Sequence, residues 1–249
     1  THFVSAVPGL ARQAMAEYTE LTGREYKPVM AYGCEDADYV MVGLGSITDD
    51  VRAVLPYLRS QGLKVGVVSV KILQPFPEAE LVEALKTAKA VTVLERSDDT
   101  ALTRLVTQSL FRARANASNP GEFPGIPALA TSPRLTTAIY GLGGHDVQPR
   151  HMVAAFKNMV SPTGAPLVYI GSQFFSDAAS GELAAVQDRL RAAYPETELM
   201  ALTTEANPQV LPDEALRIRF HSVGGYGTIA TGKLLTDILA GVLGMYSKS

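Results

Sequence analysis

The chain has one cysteine, Cys34, no tryptophan and four histidines in 249 residues. Each shortage excludes a class of chemistry. An iron–sulfur cluster needs about four thiolates, so this chain cannot hold one alone. A disulfide framework needs paired cysteines, and a lone thiol suits a reducing compartment; a cytoplasmic location is expected. Cys34 itself reads as a small, partly buried side chain rather than a reactive thiol. His2, His145, His151 and His221 complete the histidines, and no spacing among them or with Asp146 matches a metal-site template. No metal is expected, and Asp146 reads instead as the cap of a helix begun by Pro149.

Long apolar runs are also missing. No stretch approaches the roughly 20 apolar residues of a membrane helix, and the longest candidate, 234–246, is interrupted by Asp237. No basic region followed by an apolar run marks a signal peptide. The formal net charge is −3 and no Lys/Arg cluster tracks a phosphate backbone, so nucleic acid is not an expected partner. With 47% hydrophobic and 19% charged residues the chain is globular, long enough for one large or two ordinary domains.

Strand-like and helix-like patterns alternate. Strands are expected at 39–45, 64–73, 90–96, 135–143 and 165–172, and two more at 198–202 and 215–223. Helices are expected at 9–21, 48–61, 77–86, 98–114, 149–160, 181–193 and 227–243, the first with Leu10, Ala14 and Leu21 on one side. The stretch 116–134 holds four prolines and two glycines and reads as a long loop. This alternation predicts an α/β protein with mostly parallel sheets covered on both faces. The break at SPTG (161–164) divides it into two expected α/β units, 1–163 and 164–249, the second short and incomplete.

One device recurs: a strand, a glycine-containing turn, then a helix. It occurs at VGLGS (42–46), YGLGG (140–144), YIGS (169–172) and SVGGYGT (222–228). Such turns lie at the C-terminal ends of strands, where open parallel sheets bind ligands, and helix N-termini suit anions. Glycines also simply permit tight turns, and Ser46 and Asp49 have capping-box spacing. The fourth turn is the most informative. Gly225, Gly227 and Ala230 satisfy the G-x-G-x-x-A form of the dinucleotide fingerprint. The same stretch nearly matches a P-loop, but Leu234 stands where a magnesium-holding hydroxyl belongs, so nucleotide hydrolysis is not expected. An anion or pyrophosphate turn and a purely structural turn both fit. Glu95 and Asp98, at the end of a predicted strand, read either as acid–base groups or as ordinary surface carboxylates. Neither a G-x-S-x-G nucleophile elbow nor a G-D-G…N-N thiamine diphosphate signature occurs.

Several stretches, in this order, resemble pyruvate (2-oxoacid):ferredoxin or flavodoxin oxidoreductases. LTGREYKP (21–28) resembles the start of their second domain. YVMVGLGSITDDVRAVLPYL (39–58), KVGVVSVKILQPFPEAELVEAL (64–85) and AVTVLERSD (90–98) resemble the transketolase C-terminal-type domain, and YGLGGHDVQPRHMVAAFKNM (140–159) its end. RFHSVGGYGTIATGKLL (219–235) is similar to the opening of the third, or γ, domain.

The resemblance implies a non-catalytic middle segment of a CoA-acylating enzyme that decarboxylates a 2-oxoacid, pyruvate by default. Thiamine diphosphate and [4Fe–4S] clusters would lie on other domains. The partners it implies are those remaining domains or subunits, ferredoxin or flavodoxin as electron acceptor, and a dimeric full enzyme. Ser222, Gly224, Gly225, Tyr226, Gly227 and Thr228 become the candidates to approach coenzyme A phosphates. Two departures bear on the substrate: Ser97–Thr100 replace the K-E-P-G of pyruvate-specific relatives, and SVGGYGT replaces their G-L-G-S-D-G-T. The alternative reading is a stand-alone nucleotide- or coenzyme-binding module.

Overall fold

The computed structural model of the chain describes residues 2–172, 174–175, 179–215, 218, 225 and 227–245. In chain order the elements are α1 (His2–Thr22), β1 (Val29–Tyr32), β2 (Tyr39–Leu44), α2 (Ile47–Ser60), β3 (Val65–Val70), α3 (Glu78–Ala84), β4 (Ala90–Glu95) and α4 (Ala101–Ser118). They continue as β5 (Arg134–Tyr140), α5 (Pro149–Val160), β6 (Leu167–Ile170), α6 (Glu182–Ala193), α7 (Glu196–Met200), β7 (Ala201–Leu202) and α8 (Thr228–Gly241). The fold is α/β, as expected. Its two compact units are Thr1–Val210 and Leu211–Ser249.

The first unit is built on a seven-stranded sheet of order β1-β3-β2-β4-β5-β6-β7. All neighbouring pairs are parallel except β1, which runs antiparallel to β3 with Val29 opposite Val70. VGVVSV and AVTVLE form β3 and β4 and are buried at every position, as parallel strands covered on both faces require. Met41, Val67, Leu94 and Val168 pack on one face with Val51 and Leu58 of α2 and Met152 and Phe156 of α5. Val42, Val68, Val91 and Val93 pack on the other with Leu81 of α3 and Val106 and Leu110 of α4.

These faces fix the hand of each crossover. From β2 to β3 the chain steps one way along the sheet over the α2 face. From β3 to β4 and from β4 to β5 it steps the other way over the α3/α4 face. Those three connections share one hand. The β5–α5–β6 connection continues in the direction of β4 to β5 but passes over the α2 face, so its hand is opposite. Parallel crossovers keep a single hand in almost every protein, which sets this one apart.

The SPTG turn lies inside that connection and is held from several sides. Arg134 donates to the carbonyls of Ser161 (3.0 Å), Gly164 (3.2 Å) and Met159. Asn158 bridges to Ala165 in both directions, at 3.0 and 2.9 Å. β6 then pairs with β5, and β7 with β6, so the strand expected at 165–172 lies in the sheet of the first unit.

Other elements depart from expectation. ELMAL (198–202), expected as a strand, is the end of α7 followed by the two-residue β7. Pro195 ahead of the helix and Glu196 and Glu198 in its first turn favour the helical start. β1 (VMAY) was not expected, being too short to display a period. α1 begins before residue 9, and its expected apolar side is exposed: Leu10 is 62% and Leu21 85% accessible. The loop expected from 116 begins later, because α4 continues to Ser118, and buried Asn116 pins it. The Asn116 side chain donates to the Phe123 and Ile126 carbonyls at 2.9 and 2.7 Å and accepts from the Phe123 amide at 2.8 Å.

In the second unit, α8 carries Ile229, Leu234 and Ile238 exposed and has no buried residue. Most of the strand expected at 215–223 lies outside the described residues. Among the described residues no helix is long and apolar enough to cross a membrane.

Candidate functional site

The sheet order places a topological switch point between β2 and β4, whose following helices leave toward opposite faces. Open α/β sheets bind ligands in the crevice at such a point, outside the carboxyl ends of the strands. The first three glycine turns of the sequence all lie along this edge of the sheet. What each contributes can be read from its neighbours.

After β2, the turn is structural. A Cβ on Gly43 would come within 2.9 Å of Thr48 Cγ2, so this glycine lets the first turn of α2 sit on the strand. The Thr48 hydroxyl donates to Gly45 O at 2.8 Å and lies 2.9 Å from the Ser69 hydroxyl. The capping box expected from Ser46 and Asp49 is not formed, since Ser46 makes no side-chain cap bond. Thr48 does the holding instead.

After β4, the loop 96–100 carries the charged residues. Glu95 is 7% accessible, and its Oε1 accepts the backbone N–H of Thr103 at 2.6 Å. That N–H is in the first turn of α4, where helices leave donors unsatisfied. Thr100, the formal cap, lies in the left-handed region at φ 48° and makes no side-chain cap bond. Glu95 therefore caps α4 from the preceding strand. Asp98 faces Tyr169 on β6, whose phenol is raised above its usual pKa by burial and then by the Asp98 charge. Arg96 is exposed and has no ion pair or hydrogen bond among the described residues.

After β5, Tyr140 is followed by a 3-10 turn, Leu142–Gly144, flanked and interrupted by left-handed glycines: Gly141 at φ 69° and Gly143 at φ 63°. The Tyr140 phenol titrates above its usual range, chiefly through burial; Arg96 opposes the shift, and Glu95 and Asp50 add to it. The position of a Gly141 Cβ would lie 3.9 Å from Arg96 Nε. Arg96, Tyr140 and the glycine turn thus stand together.

His151 has a structural role. His151 Nδ1 accepts from the Gln148 backbone N–H at 3.0 Å, and the His151 N–H donates to Gln148 O at 2.9 Å. Gln148, not Asp146, is therefore the residue at the start of α5. His151 is 7% accessible, and burial, with the nearby Arg150, lowers its pKa. Its Nδ1 is committed to the backbone, and no group of three or more metal-ligating side chains occurs among the described residues. Cys34 is 7% accessible, its thiol within 3.7 and 3.6 Å of the carbonyls of Tyr32 and Val67. Burial pushes that thiol up to about 11. A buried protonated thiol of this kind does not fit an iron–sulfur ligand.

The fourth turn belongs to the second unit. Gly225 (φ 90°) and Gly227 (φ 74°) are both left-handed, with nothing within 4 Å of an added Cβ. Gly227 precedes α8, and its carbonyl accepts from the Thr231 N–H at 2.9 Å. Thr228 opens the helix. Ser222, Gly224 and Tyr226 lie outside the described residues. Elsewhere, a cleft of about 190 Å³ opens between α1 and residues 72–80, where Arg12 pairs with Glu80.

Residues 37–120, which hold β2 through α4, match the family model for pyruvate:ferredoxin oxidoreductase core domain II. The matched residues supply the switch point and the Glu95–Arg96 corner, while β5 to β7 follow them in the same sheet. The pyruvate synthase subunit PorA of Thermotoga maritima is 35% identical over 145 residues, covering 58% of this chain and 34% of the subunit. The pyruvate-flavodoxin oxidoreductase of Nostoc sp. is 26% identical over 238 residues, covering 93% of this chain and 18% of that protein. The chain thus spans about a third of the PorA subunit and under a fifth of the longer enzyme. A 2-oxoglutarate:ferredoxin oxidoreductase structure from Magnetococcus marinus, 23% identical, aligns with a TM-score of 0.41 over 58% of this chain and 21% of its own.

Proposed function

We propose that this chain is a non-catalytic middle segment of a 2-oxoacid:ferredoxin or flavodoxin oxidoreductase that forms acyl-CoA, with pyruvate the default substrate. The observation that carries the reading is the alignment of 93% of the chain with the pyruvate-flavodoxin oxidoreductase of Nostoc sp.. On this reading residues 1–163 are the domain II-like part and 164–249 the start of a γ-type part. The iron–sulfur clusters belong to other domains, because a cluster takes about four thiolates and the one here is buried; thiamine diphosphate belongs there too, because its G-D-G…N-N signature is missing from this sequence. The segment joins those domains, in a dimeric cytoplasmic enzyme that hands its electrons to ferredoxin or flavodoxin.

In the same proposal the 222–228 turn approaches the phosphates of coenzyme A. Two open left-handed glycines, Gly225 and Gly227, ahead of the α8 N-terminus support it, because a backbone without Cβ groups lets an anion reach helix N–H groups. Calorimetric titration of the chain with coenzyme A, wild type beside Gly227→Val, tests this. Saturable binding that the variant loses, with its circular dichroism unchanged, is the expected result. Binding that survives Gly227→Val, or no binding by either protein, removes the turn from the coenzyme site.

A further inference from the structure

We infer that Arg96 and the Gly141–Gly144 turn form an oxyanion site at the switch-point edge of the sheet, whose ligand is a single carboxylate or phosphate group. The site lies in the first unit and does not rest on the coenzyme reading of 222–228.

The arginines of this protein are mostly answered. Arg12, Arg59, Arg104, Arg112 and Arg191 each meet a carboxylate. Arg134 is spent on backbone carbonyls, and Arg52 lies over the Tyr32 ring at 4.4 Å. Arg96, like Arg24, is exposed with no side-chain hydrogen bond or ion pair among the described residues, but it alone of the two stands at the end of the central strand β4. Its neighbour Glu95 does not neutralise it, because alternate strand residues face opposite ways and the Glu95 carboxylate is turned to the α4 amide.

Beside the guanidinium is a turn that presents backbone rather than side chains. Gly141, Gly143 and Gly144 all have φ between 63° and 75°, and the Gly141 Cβ position, 3.9 Å from Arg96 Nε, is vacant by virtue of the residue type. The Gly144 N–H closes the turn on Gly141 O at 3.3 Å, which leaves the backbone N–H groups ahead of it for an anion; successive N–H groups of such turns form anion-binding concavities. Tyr140, the residue just ahead of the turn, lies close enough for the Arg96 charge to influence its titration. A guanidinium fork matches carboxylate and phosphate equally in geometry. Glu95 and Asp50, whose charges both raise the Tyr140 phenol, set the limit: they disfavour a polyanion.

Amide and Arg Nε NMR signals of the ¹⁵N-labelled chain, titrated separately with inorganic phosphate and with acetate at constant ionic strength, test the site. The expected result is saturable shifts at Gly141, Gly143 and Arg96 Nε with at least one of the two anions. Tighter phosphate binding identifies a phosphate ester as the natural ligand class; tighter acetate binding identifies a carboxylate. Arg96→Gln should weaken the interaction by about tenfold or more, about 1.4 kcal/mol, while Arg24→Gln leaves it unchanged. Shifts that stay linear in anion concentration, or that persist in Arg96→Gln, overturn the proposal. The coenzyme reading is followed separately at the Gly225, Gly227 and Thr228 amides.

Discussion

The Arg134 guanidinium, on the first residue of β5, donates to the Ser161 carbonyl at 3.0 Å, just past the end of α5. One side chain thereby ties a strand to the turn that follows the next helix, and does so with carbonyls that the helix end leaves unsatisfied. Gly164 completes the joint: a Cβ there would fall 1.9 Å from Asn158 O. Gly164→Ala is therefore expected to destabilise the first unit by about 3 kcal/mol or more. Arg134→Ala should cost a similar amount through several lost charged hydrogen bonds. Urea denaturation followed by far-UV circular dichroism measures both. A loss under about 0.5 kcal/mol in either would mean that the joint is slack.

Glu95 caps α4 from outside the helix. Glu95→Ala should cost roughly 1–2 kcal/mol, the usual range for a lost cap, and Glu95→Gln less, because the amide oxygen still accepts. Hydrogen exchange at the Thr103 amide is the direct readout: it should accelerate in the alanine variant ahead of the rest of α4. Unchanged protection at Thr103 would show that the carboxylate is not its partner in solution.

Cys34 predicts an alkaline effect. Burial lifts its folded-state pKa from the ordinary 9.0 to about 11. A folded pKa raised above the unfolded one gives stability that is complete below about pH 9 and lost as pH climbs toward 11. In that window the unfolded state has released its proton and the native state has not. Wild type minus Cys34→Ala should isolate a loss of roughly 2–3 kcal/mol over that window. A difference that stays flat from pH 8 to 11 would contradict the burial assigned to this thiol.

His151 predicts the mirror image on the acid side. Burial depresses its folded pKa below 6.5, so the unfolded state takes up a proton first as pH falls. Its contribution is full above pH 6.5 and declines as pH drops toward the depressed folded value. His151→Asn, which can still accept from the Gln148 N–H, should flatten that limb of the stability curve. Thermal melts from pH 7.5 to 5 would show it; equal pH dependence in the two proteins would count against a buried neutral imidazole.

The core of the fold was legible because its strands are long apolar runs: YVMVGL, VGVVSV and AVTVLE are buried strands with no competing interpretation. VMAY escaped notice at four residues, and ELMAL misled because a proline and two glutamates set a helix start within an apolar stretch. The hand of the β5–α5–β6 crossover leaves no local signature, since only the face that α5 covers determines it. Glycine turns were visible as turns, but whether a glycine makes room for a packed neighbour, as Gly43 does for Thr48, depends on residues folded against it. At the candidate site, Glu95 was visible as a carboxylate at a strand end, whereas its engagement with Thr103, eight residues on, needed the loop geometry. A signal for Arg96 was present beside it: a cation at the end of the central strand, next in space to a glycine-rich turn.

The crossover of opposite hand also bears on how the gene could be cut or fused. A polypeptide ended at residue 163 would keep α5 in place over α2 yet strip β6 from its neighbour, leaving the Thr137–Tyr140 side of β5 as a raw edge with unpaired backbone groups. Such edges recruit other chains. A fragment carried through 210 keeps that edge paired and ends it in the two-residue β7, a margin too short to template a neighbour. For recombinant work and for domain shuffling alike, the safe seam lies beyond residue 210 rather than at the proline–glycine turn that the sequence advertises.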